Sequence, residues 1–478
     1  MNRALERLSP RRVLALPLAC AVSVAVFYWL PAAHRSPPLA WSLLGAAGML
    51  AGWQALLLLG AGGSGRRFTI LLQPRAQHYL QACAQASVLL YWGWHWRPVY
   101  DHLPLLAAQL LFAYGFDMLL AWSRRDTYVL GFGPFPIIIG INLFLWFEPD
   151  WFVFQFLLIA AGLGAKELLR WERDGRRVHI FNPSSLPLAL GSLVLLLTGT
   201  TDLTLGQEIA TTFDIPPYIG LWIFLIALPG QLAFGVASMT MAATVTLFGL
   251  GAAYHAVTGT YFFVDSYIPA AVFLGMNLLF TDPSTSPRTE LGRLVFGVLY
   301  GLSVAALYAV LEAAGAPTFY DKLLAVPLLN LAVQSIDRWA RSDAVRRLNP
   351  AAVGRALSPR RRHLAYMAIW TAAFLPINAL EGVGDVSEAG LPLWRRACDR
   401  GRPEACRALA ATYAPECVAG SPRACNELGI LSAKGLASTP LPAAEAFARA
   451  CSLGLPEGCA NAEALASGVR TWRRPPGN

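Results

Sequence analysis

The chain carries its apolar residues in long uninterrupted blocks, such as LAWSLLGAAGMLAGWQALLLLG at residues 39–60. Blocks of about 17 to 25 such residues can cross roughly 30 Å of hydrocarbon as helices. They lack the apolar–polar alternation that strands of an outer-membrane barrel require. Composition agrees: 14% of the 478 residues are charged and 55% hydrophobic, with a mean hydropathy of +0.46, whereas soluble chains carry about a quarter charged residues. The expectation is an all-α, polytopic transmembrane helix bundle.

Candidate spans fall near 13–30, 39–60, 79–96, 103–122, 128–147, 150–165, 185–200, 217–230, 231–257, 264–280, 292–315, 322–336 and 363–380, thirteen in all, with the junction at ALPGQLAFG (227–235) the least distinct. The first follows RALERLSPRR and runs past Cys20 to Leu30, which reads as an anchor rather than a cleaved signal. Pro17 also stands where a lipobox needs a branched aliphatic residue. Orientation follows from short loops, because Lys and Arg are retained on the cytoplasmic side. Segments 1–12, 61–77, 123–126, 165–177, 284–293 and 337–363 carry 24 basic residues, and the opposite loops carry three, Arg35, Arg97 and Lys322. This places the N-terminus in the cytoplasm and, with an odd number of spans, the C-terminal region on the periplasmic side of a bacterial inner membrane. The net charge of +9 then reflects topology and anionic membrane lipid, not nucleic acid.

Six of the eight cysteines lie near the C-terminal end, in RACDRGRPEAC, ECVAGSPRAC and ACSLGLPEGC. Seven residues separate the members of each pair, Cys398 and Cys406, Cys417 and Cys425, Cys451 and Cys459. Short Ala- and Leu-rich stretches broken by Gly and Pro surround them, suggesting stacked helix-turn-helix units. Disulfides across such turns would staple a domain whose own core is small. A metal cluster is the competing reading, but no histidine follows His363 and no CxxC is present. Disulfides need an oxidising compartment, which agrees with the orientation read from charge. Cys20 and Cys83 fall in apolar spans and read as buried thiols.

Two polar interruptions look alike, HIFNPSSLPLAL from His179 and LLFTDPSTSPRTELG from Leu278, with Pro183 and Pro283 one hundred residues apart. Proline withholds a backbone donor and disfavours helix in the preceding residue, so each motif should hold unwound backbone. At membrane depth such backbone is tolerated where it is buried in protein or lines a polar cavity, and matched interruptions in two halves point to a binding site. The simpler physical account is that Asn182, Asp282 and Ser284 merely cap the following helices.

The residues also carry resemblances. HIFNPSS with GMNLLFTDPSTSPRTELGRLVFGVLYG, over roughly residues 65–340, resembles the NqrB/RnfD family, membrane components of the sodium-pumping NADH:quinone reductase and of the Rnf ferredoxin:NAD oxidoreductase. Within that group GQEIATTFDIPPYI, YFFVDSYIPAAVFLG and APTFYDKLLAVPLLN are similar to the membrane proteins associated with enediyne biosynthesis. The resemblance implies inverted repeats and a flavin in an electron-transfer chain. Family members bind FMN covalently through the Thr of a Ser-Gly-Ala-Thr motif; here Ala210-Thr211 occupies roughly that place, but Glu208-Ile209 replaces Ser-Gly. FMN or riboflavin held noncovalently is therefore expected over covalent attachment at Thr211. His179, Asn182, Ser184, Asn277, Asp282, Ser284 and Thr285 are the candidate ligand-binding residues, with helix N-termini near Ser184 and Ser284 offering N–H groups. Residues 390–465 resemble cysteine-rich Sel1-like repeats, which form a helical solenoid and bind other proteins.

Other residues carry less. Asp265 and Asp321 read as solvated acids at the outer rim, His95 and His102 as part of an interfacial aromatic belt, and Arg288 and Arg293 as positive-inside anchors. No Walker A loop, strand-preceded GxGxxG or HExxH is present, so nucleotide hydrolysis and metalloprotease chemistry have no support. No metal site and no catalytic side chain are assigned. The expected organisation is anchor helices at 1–64, an Rnf/Nqr-like transmembrane domain at 65–385, a Sel1-like α-solenoid at 390–468 and a tail at 469–478. The leading functional expectation is a flavin- or quinone-linked, ion-coupled electron-transport subunit working with other membrane redox subunits. The alternative is a flavin-free transporter, channel or scaffold tied to secondary-metabolite biosynthesis, whose repeats recruit an extracytoplasmic protein.

Overall fold

A computed structural model of the chain describes residues 10–64, 66, 68–263, 266–350, 357–384, 390–401 and 403–475; Asp265 lies outside them. Two compact units result, one formed by Met1–Leu247 with Pro269–Val383, the other by Phe248–Ile268 with Gly384–Asn478. The anchor helices of 1–64 thus belong to the larger unit: α1 (Pro10–Val26) and α2 (Pro37–Ser64) pack on each other and on α4 (Pro98–Arg124). Between α2 and α4 lies α3 (Ala76–His95).

Among the described residues, four helices are long and apolar enough to cross a membrane: Pro37–Ala61 within α2, α4, α10 (Ala237–Thr258) and α12 (Glu290–Ala313). Their outer faces would be untenable in water; Leu59 is 77% exposed, and Leu197, on the shorter helix α7 (Ser185–Thr198), is 78% exposed. Cys83 is also exposed and Cys20 half-buried, so the two thiols are not core residues. Gly297 and Gly301 bring α12 onto α10: a Cβ at Gly297 would lie 2.2 Å from the Met239 carbonyl oxygen, so only glycine admits this approach.

Nine of the thirteen expected spans hold no such long apolar helix among the described residues, and two of these nine are made of markedly shorter elements. Region 128–147 holds β2 (Thr127–Leu130) and the nine-residue α5 (Pro134–Asn142). Region 264–280 holds α11 (Ala270–Leu274), whose last turn widens into a π-helical turn at Gly275–Leu279. At the indistinct junction, α9 (Ile219–Phe234) runs through Pro229 and stops at Gly235, whose φ of 67° suits glycine.

The molecule is not wholly helical. β1 (Thr69–Leu72) pairs in parallel with β2, Thr69 opposite Thr127. Following α6 (Val153–Leu168), β3 (Arg170–Arg173) and β4 (Arg176–His179) form an antiparallel hairpin. Its two-residue turn, Asp174-Gly175 with φ of 49° and 72°, is the left-handed pair that matches strand twist. α7, α8 (Gly206–Thr212), α13 (Asp321–Ala340) and α14 (Pro359–Ala379) complete the larger unit.

In the smaller unit α15 (Gly390–Asp399), α16 (Pro403–Val418), α17 (Pro422–Ala433), α18 (Ala443–Ser452) and α19 (Pro456–Ala466) each pack on the next. Disulfides Cys398–Cys406, Cys417–Cys425 and Cys451–Cys459 join α15 to α16, α16 to α17 and α18 to α19, with Cα separations of 4.8, 4.6 and 4.6 Å. No expected pairing is exchanged for another.

Candidate functional site

The two interrupted motifs meet. His179 ends β4, and its Nε2 lies 3.1 Å from Asp282 Oδ2. Asn182 Nδ2 donates to the Leu279 carbonyl at 2.8 Å, while its Oδ1 accepts from Ser184 N and Ser185 N at 2.9 and 3.1 Å. Asp282 Oδ1 in turn accepts from Ser284 N at 2.9 Å, giving each motif the same local turn. Asn330, in the middle of α13, ties them together: its Oδ1 accepts from Asn182 N at 3.1 Å and its Nδ2 donates to Thr285 O at 3.0 Å. Gly162 on α6 permits the first motif to come close, since a Cβ there would stand 2.3 Å from the Pro183 carbonyl oxygen.

The capping reading holds for one motif only. Asn182 serves the first turn of α7, but no helix begins at Ser284; α12 starts at Glu290, and Thr289 Oγ1 accepts from Gly292 N at 3.1 Å. The expected N–H groups at Ser184 and Ser284 are consumed by Asn182 and Asp282, so neither is free for a ligand.

A second clamp had no sequence counterpart. Arg173, on β3, pairs with Asp337 at 2.6 Å, both side chains 5% exposed, and donates to Ser286 O at 2.9 Å. Asp337 also accepts from Arg288 N, Thr289 N and Thr289 Oγ1 at 3.1, 3.0 and 2.8 Å. The loop after Asp282 is thereby held by its backbone. Arg288 reaches Asp174 in the hairpin turn at 2.5 Å, and Arg293 donates to Gly235 O at 2.5 Å and Pro287 O at 3.0 Å, so both do more than mark the basic side.

His179, Asn182, Ser184, Asp282 and Ser284 line a cavity of about 380 Å³. Its acids are partnered: Glu167 by Arg125 and, at 2.7 Å, by Arg170, and Asp117 by the Tyr128 hydroxyl at 3.2 Å. Arg75, Lys166 and Arg177 also line it and have no carboxylate partner among the described residues, which makes the cavity cationic. Burial pushes the Asp282 carboxyl up, but the His179 bond and the Ser284 N–H outweigh it and hold the group below the usual carboxylate value.

Three expected ligand residues lie elsewhere. Asn277 faces away, accepting from Gln231 Nε2 at 2.7 Å and donating to Phe273 O at 2.8 Å within the π-helical turn. Thr285 is buried and does not line the cavity, and its hydroxyl has no hydrogen-bond partner among the described residues. Thr211 is exposed on α8, its hydroxyl turned back on the Gln207 and Glu208 carbonyls at 3.2 and 3.1 Å; it does not join the motif pair. Asp321 is not solvated: it is 2% exposed and 3.3 Å from Lys322 Nζ, which donates to Phe319 O at 2.6 Å. His102 leaves the supposed belt and stacks on Trp146, centroids 4.2 Å apart, with Asn142 Oδ1 at 2.9 Å.

Asn330, a lone amide in the apolar run PLLNLAV, and the Asp-Gly turn of RWERDGRRVH were the signals available in the sequence. Arg173 and Asp337 are separated by 164 positions and carried none. Comparison with known protein families, with characterised proteins and with solved structures finds no match to this chain.

Proposed function

We propose that the chain is an integral membrane subunit of an Rnf/Nqr-like electron-transport system and that its cationic cavity holds a flavin, FMN or riboflavin, noncovalently. One observation carries this reading: the FNPSS and TDPST segments, on which the resemblance rests, converge on a single cavity through Asn330 and the His179–Asp282 contact. Its volume of about 380 Å³ falls in the range of small-molecule sites. Arg75, Lys166 and Arg177 supply the positive field that a phosphate or a reduced ring would need, a task the internally bonded Ser184 and Ser284 amides cannot perform. Asp282 fixes the His179 ring, leaving its other nitrogen for a ring heteroatom. A bound flavin would supply the redox chemistry; the protein supplies position and charge. The position of Thr211, exposed and hydrogen-bonded within its own helix, supports noncovalent over covalent attachment.

In this reading the N-terminal side of the chain is cytoplasmic, the cavity opens toward that face, and the disulfide-containing unit is a Sel1-like solenoid on the oxidising side of a multi-pass inner-membrane protein. The test is the visible spectrum of detergent-purified protein before and after denaturation. A flavin band that leaves the chain on denaturation is expected. Colour retained by the chain in a denaturing gel would overturn noncovalent binding. Colourless protein that takes up neither FMN nor riboflavin on titration would sink the redox reading.

A further inference from the structure

Residues 469–475, VRTWRRP, have no regular structure, yet they lie across α17, α18 and α19 through specific contacts. Asn461, fully buried on α19, brackets one peptide unit: Oδ1 accepts from Arg473 N at 2.7 Å and Nδ2 donates to Arg473 O at 2.8 Å. Asn426, fully buried on α17, donates to the same carbonyl at 3.1 Å and accepts from Asn461 Nδ2 at 2.8 Å. These amides read main chain, not side chain; the Arg473 residue itself is exposed.

The flanking side chains supply the selectivity. Trp472 stacks over Phe447 with ring centroids 5.4 Å apart. Gly429 makes room for that ring, since a Cβ there would lie 2.6 Å from Phe447. Arg474 reaches Asp399 at 3.0 Å and Glu427 at 3.1 Å, and Glu427 is only 6% exposed. A buried amide pair, an aromatic floor and an acidic end together form a built receptor for an extended peptide, in the mode where backbone bonds give affinity and pockets give specificity.

We propose that this groove is a docking site for an extended segment of a partner protein carrying Trp-x-Arg, and that residues 472–474 occupy it in cis. The inference goes beyond the redox reading and stands or falls apart from it. A tethered segment acts at an effective concentration on the order of millimolar, so a partner must outcompete it or be presented at high local density.

The probe is fluorescein-labelled VRTWRRP, followed by anisotropy against the full chain in detergent and against a chain ending at Gly468. The shortened chain should bind it saturably and the full chain at least about tenfold more weakly. Probes with Trp472→Ala or Arg474→Ala should lose about tenfold or more, the scale of a lost charge-assisted bond; Arg473→Ala should bind like the native probe. Asn461→Ala in the shortened chain should abolish binding. Should shortening impair folding, full-length Trp472→Ala/Arg474→Ala, with its segment released, must bind the native probe instead. A folded shortened chain or double variant that ignores the probe would overturn the proposal, as would an Arg473→Ala probe that fails like Trp472→Ala. Dimers that vanish on shortening would assign the segment to a second copy and overturn occupancy in cis.

Discussion

Asp337 collects four donors, and only one of them is a side-chain cation, Arg173. Removing the acid leaves Arg173 buried without a counter-charge and frees the Arg288 and Thr289 amides. Asp337→Ala should therefore cost about 3–5 kcal/mol, the scale for breaking a buried pair. Arg173→Met should cost less, because the acid keeps its amide and hydroxyl donors. Thermal unfolding in detergent ranks the two; equal losses would mean that the amides contribute nothing. Asp282 makes a different kind of prediction. Its folded carboxyl sits below the usual value, so its contribution is complete above the unfolded value of about 3.9 and is lost as pH falls through the lower folded value. The difference in melting temperature between the native chain and Asp282→Asn should narrow from pH 6 toward pH 3. A constant difference would show that the ionised form is not what the fold favours.

At the scale of elements, Asn330 is the joint between the two motifs, one helix bonding to both. Asn330→Leu leaves the Asn182 N–H and the Thr285 carbonyl buried without this partner, at about 1–3 kcal/mol each. It should also weaken flavin uptake in the titration above, while Gly164→Ala, whose Cβ meets nothing within 4 Å, should leave uptake unchanged. The helical skeleton was legible because apolar blocks of membrane length admit few alternatives. What was not legible has a common cause: inside a uniformly apolar run no periodicity distinguishes a full span from a strand plus a short helix. Hence 128–147 read as one span although Pro134 and Pro136 divide it. The hairpin was hidden for the opposite reason, since its basic residues fitted a cytoplasmic loop and masked the Asp-Gly turn. The motif pair was legible as a pair. The residues that join it, Asn330, Arg173 and Asp337, were not, because they reach it only through tertiary contacts.

For the whole molecule, the half-length elements bear on which side the disulfide unit occupies. α5 spans nine residues, about 14 Å at the helical rise of 1.5 Å per residue, and α11 with its π-helical turn covers only Ala270–Leu279. Neither crosses alone. On the topology proposed above, of whose thirteen expected crossings four are membrane-length helices among the described residues, both elements entering and leaving by the same face would bring the count to eleven, keep it odd and leave the disulfide unit opposite the cytoplasm. If only one does so, the count is even and that unit faces a reducing compartment where Cys398–Cys406, Cys417–Cys425 and Cys451–Cys459 would not persist. On that proposed orientation, the three bridges would favour the paired arrangement. In a Cys20→Ala/Cys83→Ala background, a membrane-impermeant maleimide applied to spheroplasts should label the chain only after reductant. Reduction should also lower the melting temperature of the disulfide unit, since each short bridged loop contributes about 2.5 kcal/mol by loop-closure entropy. Labelling that requires permeabilised membranes but no reductant would place that unit inside, make the crossings even, and leave one of the two half-length elements paired with a full span.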